Sequence, residues 1–163
     1  MMNKDISVSV IMKPARKVII KRAEKATDYF DYCVEVGCSV WQTLKRIDSI
    51  SPEPVCLRLP KSLISPGTSA YVHGAEVAPD FSADIPDGYD AIRLPACEYL
   101  MFQGSPFIED EFESVIEQVA DAISSFDPSS IGYQWDEDNP RILLEPIGSR
   151  GFIEMVPIKR LST

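Results

Sequence analysis

The sequence predicts an α+β fold made of a duplicated strand-helix-strand-strand unit, with a mainly antiparallel sheet, two helices on one face and a central cleft. The chain of 163 residues is long enough for one domain with a sizeable core. Its hydrophobic share of 45% and charged share of 25% are typical of a globular protein. Two stretches with helical apolar spacing, each flanked by short strand-like segments, predict the duplication.

The first unit begins with Lys17–Arg22, a short β-branched segment that predicts a strand. A helix is expected from the cap at Asp28 to Ile47, because apolar residues recur there at intervals of three and four. Its predicted buried stripe is Phe30, Cys33, Val34, Gly37, Val40, Trp41, Leu44 and Ile47. Val55–Leu59 and Thr68–Val77 are the next two expected strands.

The second unit repeats this order. Tyr89–Leu94 and Glu98–Gln103 are expected to be strands, and Glu109–Phe126 has the clearest helical spacing in the chain, with acids in its first turn. Arg141–Ile147 and Gly151–Lys159 predict a closing hairpin. Residues 1–12 are expected to form an N-terminal arm or edge strand, and residues 13–163 the domain itself. A groove between the two units is the expected ligand site.

Charge and cysteine usage exclude several classes of protein. The net charge of -9 disfavours direct nucleic-acid binding, which depends on clustered Lys and Arg. No apolar run approaches the roughly 20 residues of a membrane span, and no signal peptide is evident, so a cytoplasmic protein is expected. Reduced thiols and no metal site are expected, because the cysteines lack CxxC pairing and the chain has one histidine, His73. The cysteines are Cys33, Cys38, Cys56 and Cys97.

Five segments carry a resemblance to a known family. They are TDYFDYCVEVGCSVWQTL (27–44), PGTSAYVHGAEV (66–77), LPACEYLMFQGSPF (94–107), DPSSIGYQWDEDNPRILLEP (127–146) and GFIEMVPIK (151–159). In this order they resemble the GyrI-like domain, in the version that forms the effector-binding part of AraC-type transcription regulators. The resemblance begins near Lys13 and lacks the helix-turn-helix segment of those regulators, which indicates a stand-alone domain.

The resemblance implies a cleft at the pseudo-two-fold of the duplicated fold, lined by aromatic residues and an acid, that binds drug-like or cationic small molecules. The family's recurrent glutamate lies on the last strand and is followed after two residues by Pro and an aliphatic residue. Glu154, Pro157 and Ile158 match this pattern. Met155 departs from it, since an aromatic residue is frequent there in the family.

Two glutamates are the candidate polar groups of the site. Glu154 lies in a hydrophobic strand, where a buried carboxylate is costly unless it is paired or used in binding. Glu145 precedes Pro146 in the partner strand. Two alternatives stay open: strand alternation turns Glu154 to solvent, and Glu145 forms a surface ion pair with Arg141 or Arg150.

Aromatic residues on the predicted strands and on the linker before the last hairpin are the candidate walls of the site. They are Tyr71, Tyr99, Phe102, Tyr133 and Trp135. Phe30 and Trp41 belong to the predicted helix stripe and are expected in the core. His73 is expected to be a hydrogen-bonded structural histidine.

The expected function is binding of small apolar or cationic molecules, for sensing, sequestration or resistance, without a cofactor. The first alternative is an enzyme: some stand-alone relatives are similar to hydrolases that open cyclopropane rings, and Glu154 would then be the catalytic residue that activates water. The second is a protein-interaction role such as gyrase inhibition, with a protein partner. The sequence leaves the oligomeric state open.

Overall fold

The computed structural model describes residues 6–37, 39–51, 53–104, 112–144 and 151–161, and these form an α+β fold with antiparallel strand pairing, as predicted. The strands are β1 (Ser7–Lys13), β2 (Arg16–Arg22), β3 (Val55–Arg58), β4 (Tyr71–Val77), β5 (Asp90–Leu94), β6 (Cys97–Gln103), β7 (Tyr133–Trp135), β8 (Arg141–Leu144) and β9 (Ile153–Arg160). The helices are α1 (Tyr29–Val36), α2 (Ser39–Lys45) and α3 (Phe112–Ser125). Two 3₁₀ turns, Lys61–Leu63 and Pro128–Ile131, complete the described elements.

The chain divides into two compact units. An N-terminal unit contains residues 14–96 and 138–140, and a C-terminal unit contains the described residues of 6–13, 97–137 and 141–161. Strand β1, within the segment predicted as an arm or edge strand, pairs with β6 along its whole length. The proposed boundary at residue 13 stays a prediction.

Each unit has the same strand order. It is β3-β4-β2-β5 in the N-terminal unit and β8-β9-β6-β1 in the C-terminal unit, where β7 also pairs with β9. Strand β2, its two helices, β3 and β4 therefore correspond to β6, α3, β8 and β9, which confirms the predicted duplication.

The predicted helix from Asp28 to Ile47 is two helices, because the chain breaks at Gly37. The cap at Asp28 is confirmed, since its carboxylate accepts the backbone N–H of Asp31. Gly37 then adopts a φ of 92°, a conformation that L side chains rarely take and that no helix continues through.

The predicted stripe on this segment was wrong in its first turns. Phe30 is 65% exposed and Val34 is 87% exposed, whereas Tyr32 is fully buried. The prediction assumed one unbroken helix, whose buried face includes Phe30 and Val34. Because α1 ends at Val36, it has its own buried face, and that face includes Tyr32. Trp41 of α2 is half-buried beside His73, as part of an aromatic cluster.

The two central strands are buried on both faces. Every residue of β4 is buried, as are Ile153 to Ile158 of β9. Strand β4 carries Glu76, whose Oε2 accepts from Arg16 Nε at 2.6 Å, with both side chains at most 1% exposed. The strands that close each core therefore contain ionisable groups that must have partners.

Substitution of Gly74 by Ala should destabilise the N-terminal unit. A Cβ there would lie 2.7 Å from Val18 Cγ1 and 3.1 Å from the backbone oxygen of Ile19. We expect Gly74→Ala to lower the free energy of unfolding by about 1–3 kcal/mol in urea titrations. The control, Ser9→Thr, adds one methyl group to the edge strand β1 and should change it by less than about 0.5 kcal/mol. Equal stability of both variants would contradict the close packing of β2 on β4.

Removal of the buried charge on Glu76 should be far more costly than removal of a surface charge. Glu76→Gln removes the carboxylate charge that the buried Arg16 guanidinium contacts at 2.6 Å, for an expected loss of about 3 kcal/mol in the free energy of unfolding. Asp90→Asn is the matched control, because Asp90 pairs with Arg22 at 3.1 Å but has a 54% exposed side chain. Asp90→Asn should lose less than about 1 kcal/mol in the free energy of unfolding. Losses of similar size in the two variants would contradict the prediction.

Candidate functional site

Glu154 lies on the face of the C-terminal sheet that α3 covers. In the antiparallel register Glu154 is opposite Phe102 on one side and Leu143 on the other, so the three side chains point to the same face. The Phe102 ring packs edge-on against Phe126, just past the end of α3, with ring centroids 5.8 Å apart. Glu154 is 6% exposed. Strand alternation therefore does not turn this carboxylate to solvent.

Arg141 is the partner of the Glu154 carboxylate. Its Nη1 donates to Glu154 Oε2 at 3.1 Å. The two side chains differ greatly in exposure, at 8% for Glu154 and 44% for Arg141. The carboxylate is thus held inside the sheet, whereas the guanidinium reaches it from a partly solvated position.

Tyr133 and Trp135 of β7 share this face. They lie opposite Arg160 and Ile158 of β9, which are an even number of residues from Glu154. Trp135 is half-buried and Tyr133 is buried. The Tyr133 and Trp135 side chains therefore extend the face of the sheet on which Glu154 lies.

A second polar group lies farther along the same face. Tyr133 donates its hydroxyl proton to Glu98 Oε2 at 2.8 Å, and this hydrogen bond raises the pKa of the tyrosine. The guanidinium of Arg160 lies 5.2 Å from the Tyr133 ring centroid and 3.6 Å from Glu98 Oε1. Glu98 is thus already occupied by two partners. We call the surface formed by Glu98, Phe102, Tyr133, Trp135, Arg141, Leu143 and Glu154 the Glu154 face.

Four of the predicted site residues, Phe102, Tyr133, Trp135 and Glu154, lie together on the Glu154 face. Tyr99 lies opposite Pro157, three residues from Phe102, and therefore points to the other face of the sheet. Tyr71 belongs to the N-terminal unit. Glu145 lies outside the described residues.

Sequence reasoning missed that His73 lies in a setting similar to that of Glu154, on the central strand of its unit. His73 of β4 lies opposite Lys21 of β2 and Cys56 of β3, as Glu154 lies between β6 and β8. The rings of Tyr32 on α1 and Trp41 on α2 lie beside His73, so His73 faces the helices of its unit. Both units therefore place one titratable side chain on the central strand, facing the helix side.

In the N-terminal unit this side chain is enclosed by aromatic rings. The Tyr32 ring centroid lies 4.0 Å from that of His73, and those of Tyr29 and Trp41 each lie 5.3 Å away. The Tyr71 hydroxyl lies 3.1 Å from His73 Nε2. Burial lowers the pKa of His73 to about 4, because desolvation disfavours the imidazolium. His73 is therefore neutral at neutral pH, in keeping with the expected structural role.

The described residues contain neither a candidate membrane-spanning helix nor a candidate metal-ligand cluster. No helix among them has the length and apolar character needed to cross a membrane. No three His, Cys, Asp or Glu side chains in this part of the chain are grouped so that they could hold a metal ion.

Comparison with known proteins relates the chain to others through its fold. No protein-family model matches it, and no curated protein sequence matches it significantly. SAV2435, solved with bound tetraphenylphosphonium, has a TM-score of 0.60 at 17% identity over 94% of both chains. A Staphylococcus aureus MU50 protein described as a transcription regulation protein has a TM-score of 0.59 at 14% identity, over 94% of this chain and 98% of that one. For the C-terminal domain of EcmrR the values are 0.55 and 12%, over 96% and 99%.

These likenesses establish the fold. The chain has the fold of SAV2435 and of the EcmrR C-terminal domain along nearly its entire length. The fold that the GyrI-like resemblance implied is thereby confirmed.

The burial of neutral His73 should make the protein sensitive to acid. Its pKa is about 4 in the folded state against about 6.5 in the unfolded state, so the unfolded chain binds the proton first as the pH falls. The free energy of unfolding should therefore decrease from about pH 6.5 to about pH 4, by up to roughly 3 kcal/mol. His73→Phe should remove this part of the pH dependence.

The measurement is a series of urea titrations between pH 7 and pH 4 on both proteins. The readout is the slope with pH rather than the absolute stability, because the variant also loses the contact with Tyr71. Parallel slopes for the two proteins would show that His73 does not titrate as its burial requires.

Proposed function

We propose that the protein binds small, bulky, apolar organic cations on the Glu154 face, with the Glu154 carboxylate as the anchor. The observation that carries the proposal is the 6% exposure of this carboxylate on a central strand, opposed by a guanidinium whose side chain is 44% exposed. Such an arrangement favours a ligand that brings both a positive charge and apolar surface.

The physical argument concerns the cost of a buried charge. An ionised carboxylate inside a sheet is unfavourable unless a counter-charge is close. A cation that carries its own apolar groups is more easily desolvated than a hydrated guanidinium and stays near the carboxylate in a low-dielectric environment. Binding would therefore draw on both Coulombic attraction and apolar burial.

Aromatic side chains on the same face add to this preference. Trp135 shares the face with Glu154, is half-buried and is suited to flat or phenyl-bearing ligands, whereas Phe102 is fully buried and packs against Phe126. Aromatic faces also attract cations directly. Tyr133 would contribute its ring more than its hydroxyl, because the hydroxyl donates to Glu98. Tyr99 and Tyr71 are not part of this proposed site, and a role for Glu145 remains a prediction.

The fold comparison supports the same ligand class. SAV2435, which shares the fold, was solved with tetraphenylphosphonium, an apolar organic cation. The GyrI-like resemblance also indicates drug-like cations, and the likeness to a protein described as a transcription regulation protein supports a sensing role. We propose that the chain acts in sensing, sequestration or resistance toward such compounds.

The test is binding of tetraphenylphosphonium by isothermal titration calorimetry. We expect Glu154→Gln to weaken binding by about tenfold or more, since a cation in a largely desolvated site loses its counter-charge. Glu98→Gln is the matched control: it removes a carboxylate from the same face, but one already held by Tyr133 and Arg160. The affinity of that control should stay within about threefold of the unmodified protein.

A neutral ligand separates charge recognition from apolar binding. Triphenylphosphine oxide has similar rings without the positive charge, and Glu154→Gln should leave its affinity unchanged. The proposal is wrong if the unmodified protein binds no tetraphenylphosphonium, or if Glu154→Gln binds it as tightly as the unmodified protein does.

A further inference from the structure

We infer that Arg141 is an internal competitor for the ligand: its guanidinium occupies the Glu154 carboxylate in the free protein, and an organic cation must displace it to bind. This inference rests on the proposed function. It adds a specificity-determining residue, and it narrows the ligand class to cations whose apolar surface compensates for the displaced arginine.

The two partners differ in how firmly the fold holds them. Glu154 lies on β9 with hydrogen-bonded neighbours on both sides, β6 and β8, and its side chain is 8% exposed. Arg141 is the first residue of β8, and its side chain is 44% exposed. A half-exposed arginine retains access to water, so its head group can leave the carboxylate and be solvated again. The carboxylate has no such alternative.

The geometry of the contact between Arg141 and Glu154 is that of a weak ion pair, which a ligand can replace. One guanidinium nitrogen, Nη1, donates to one carboxylate oxygen, Oε2, at 3.1 Å. The strong form of this pair is bidentate, with two parallel and shorter hydrogen bonds. A single contact from a partly solvated arginine stabilises the pair only modestly. A ligand with apolar contacts of its own would therefore be able to replace it.

The other ion pair on the Glu154 face sets the comparison. Arg160 lies 3.6 Å from Glu98, with a side chain that is 76% exposed, and Glu98 also accepts from Tyr133. Loss of Arg160 therefore leaves Glu98 hydrogen-bonded and partly solvated. Loss of Arg141 leaves Glu154 without its partner in a nearly dry position. The two arginines carry the same charge, but Arg141 pairs with the nearly buried Glu154 carboxylate and Arg160 with the more exposed Glu98 carboxylate.

Competition of this kind also determines which cations bind. A small hydrated cation offers little beyond its charge, which the guanidinium already supplies. A phenyl-bearing cation adds burial against the half-buried Trp135, and this apolar gain shifts the exchange in its favour. Arg141 would thus stabilise the empty protein and exclude small cations from the carboxylate.

The experiment measures the affinity for tetraphenylphosphonium by calorimetry, in one buffer and at one pH, in four proteins. They are the unmodified chain, Arg141→Met, Arg141→Lys and Arg160→Met. Methionine keeps much of the apolar stem, which limits losses from packing. We expect Arg141→Met to bind about three- to tenfold more tightly, corresponding to the removal of a weak competing ion pair.

The controls separate competition from a general charge effect. Arg160→Met removes the same charge from the same face and should change the affinity by less than about twofold. Arg141→Lys retains a competing cation and should bind like the unmodified protein. Without ligand, Arg141→Met should melt at a lower temperature than the unmodified chain, and it should gain more on addition of tetraphenylphosphonium.

The outcomes distinguish this inference from the proposed function. If the unmodified protein binds and Glu154→Gln abolishes binding, but Arg141→Met binds equally or more weakly, then Arg141 is not a competitor and only this inference fails. If Arg141→Met and Arg160→Met tighten binding equally, the effect is one of net charge, and the inference is again overturned. If the unmodified protein does not bind the cation, the proposed function itself is wrong.

Discussion

The burial of the two central strands on both faces is the constraint from which the rest of the structure follows. Strands β4 and β9 each lie between two hydrogen-bonded neighbours, and their side chains are shielded above and below. Apolar residues satisfy this constraint by packing. Ionisable residues on the same strands satisfy it only with a partner, because an isolated charge or unpaired polar group is too costly there. The partners of each buried ionisable residue therefore show how its polar atoms are satisfied inside the fold.

Three polar residues on these strands are satisfied in different ways. Glu76 has a partner that is as buried as itself, which forms a closed pair between β2 and β4. His73 stays neutral among aromatic rings and is close to the Tyr71 hydroxyl. Glu154 differs from both, since its partner Arg141 is half-exposed and makes one contact. The first two arrangements are closed to solvent and structural. The third has one half-exposed partner, and this difference is the reason for which we propose ligand binding there.

The duplicated architecture explains why the two units differ in this respect. Both place a buried titratable side chain on the central strand, facing the helix side. In the N-terminal unit, α1 and α2 contribute Tyr29, Tyr32 and Trp41, whose rings surround His73. In the C-terminal unit the residue is a charged glutamate, and a charge cannot be enclosed in the same way without its counter-ion. In the N-terminal unit aromatic rings therefore pack around this side chain, whereas in the C-terminal unit the side chain forms an ion pair with a half-exposed arginine.

The sequence by itself determined the local elements: the β-branched and apolar runs of the strands, the cap at Asp28, the spacing of α3, and the resemblance whose fold the structure confirms. These depend on residues close together in the chain. The sequence also determined that Tyr99 and Phe102 point to opposite faces of the sheet, because side chains alternate along a strand and these two residues are three apart. Only the tertiary structure decided the break at Gly37, the burial of Tyr32 and the pairing of Arg141 with Glu154. Partners and buried faces are set by which strands and helices meet, and that depends on packing across the whole fold rather than on neighbouring residues.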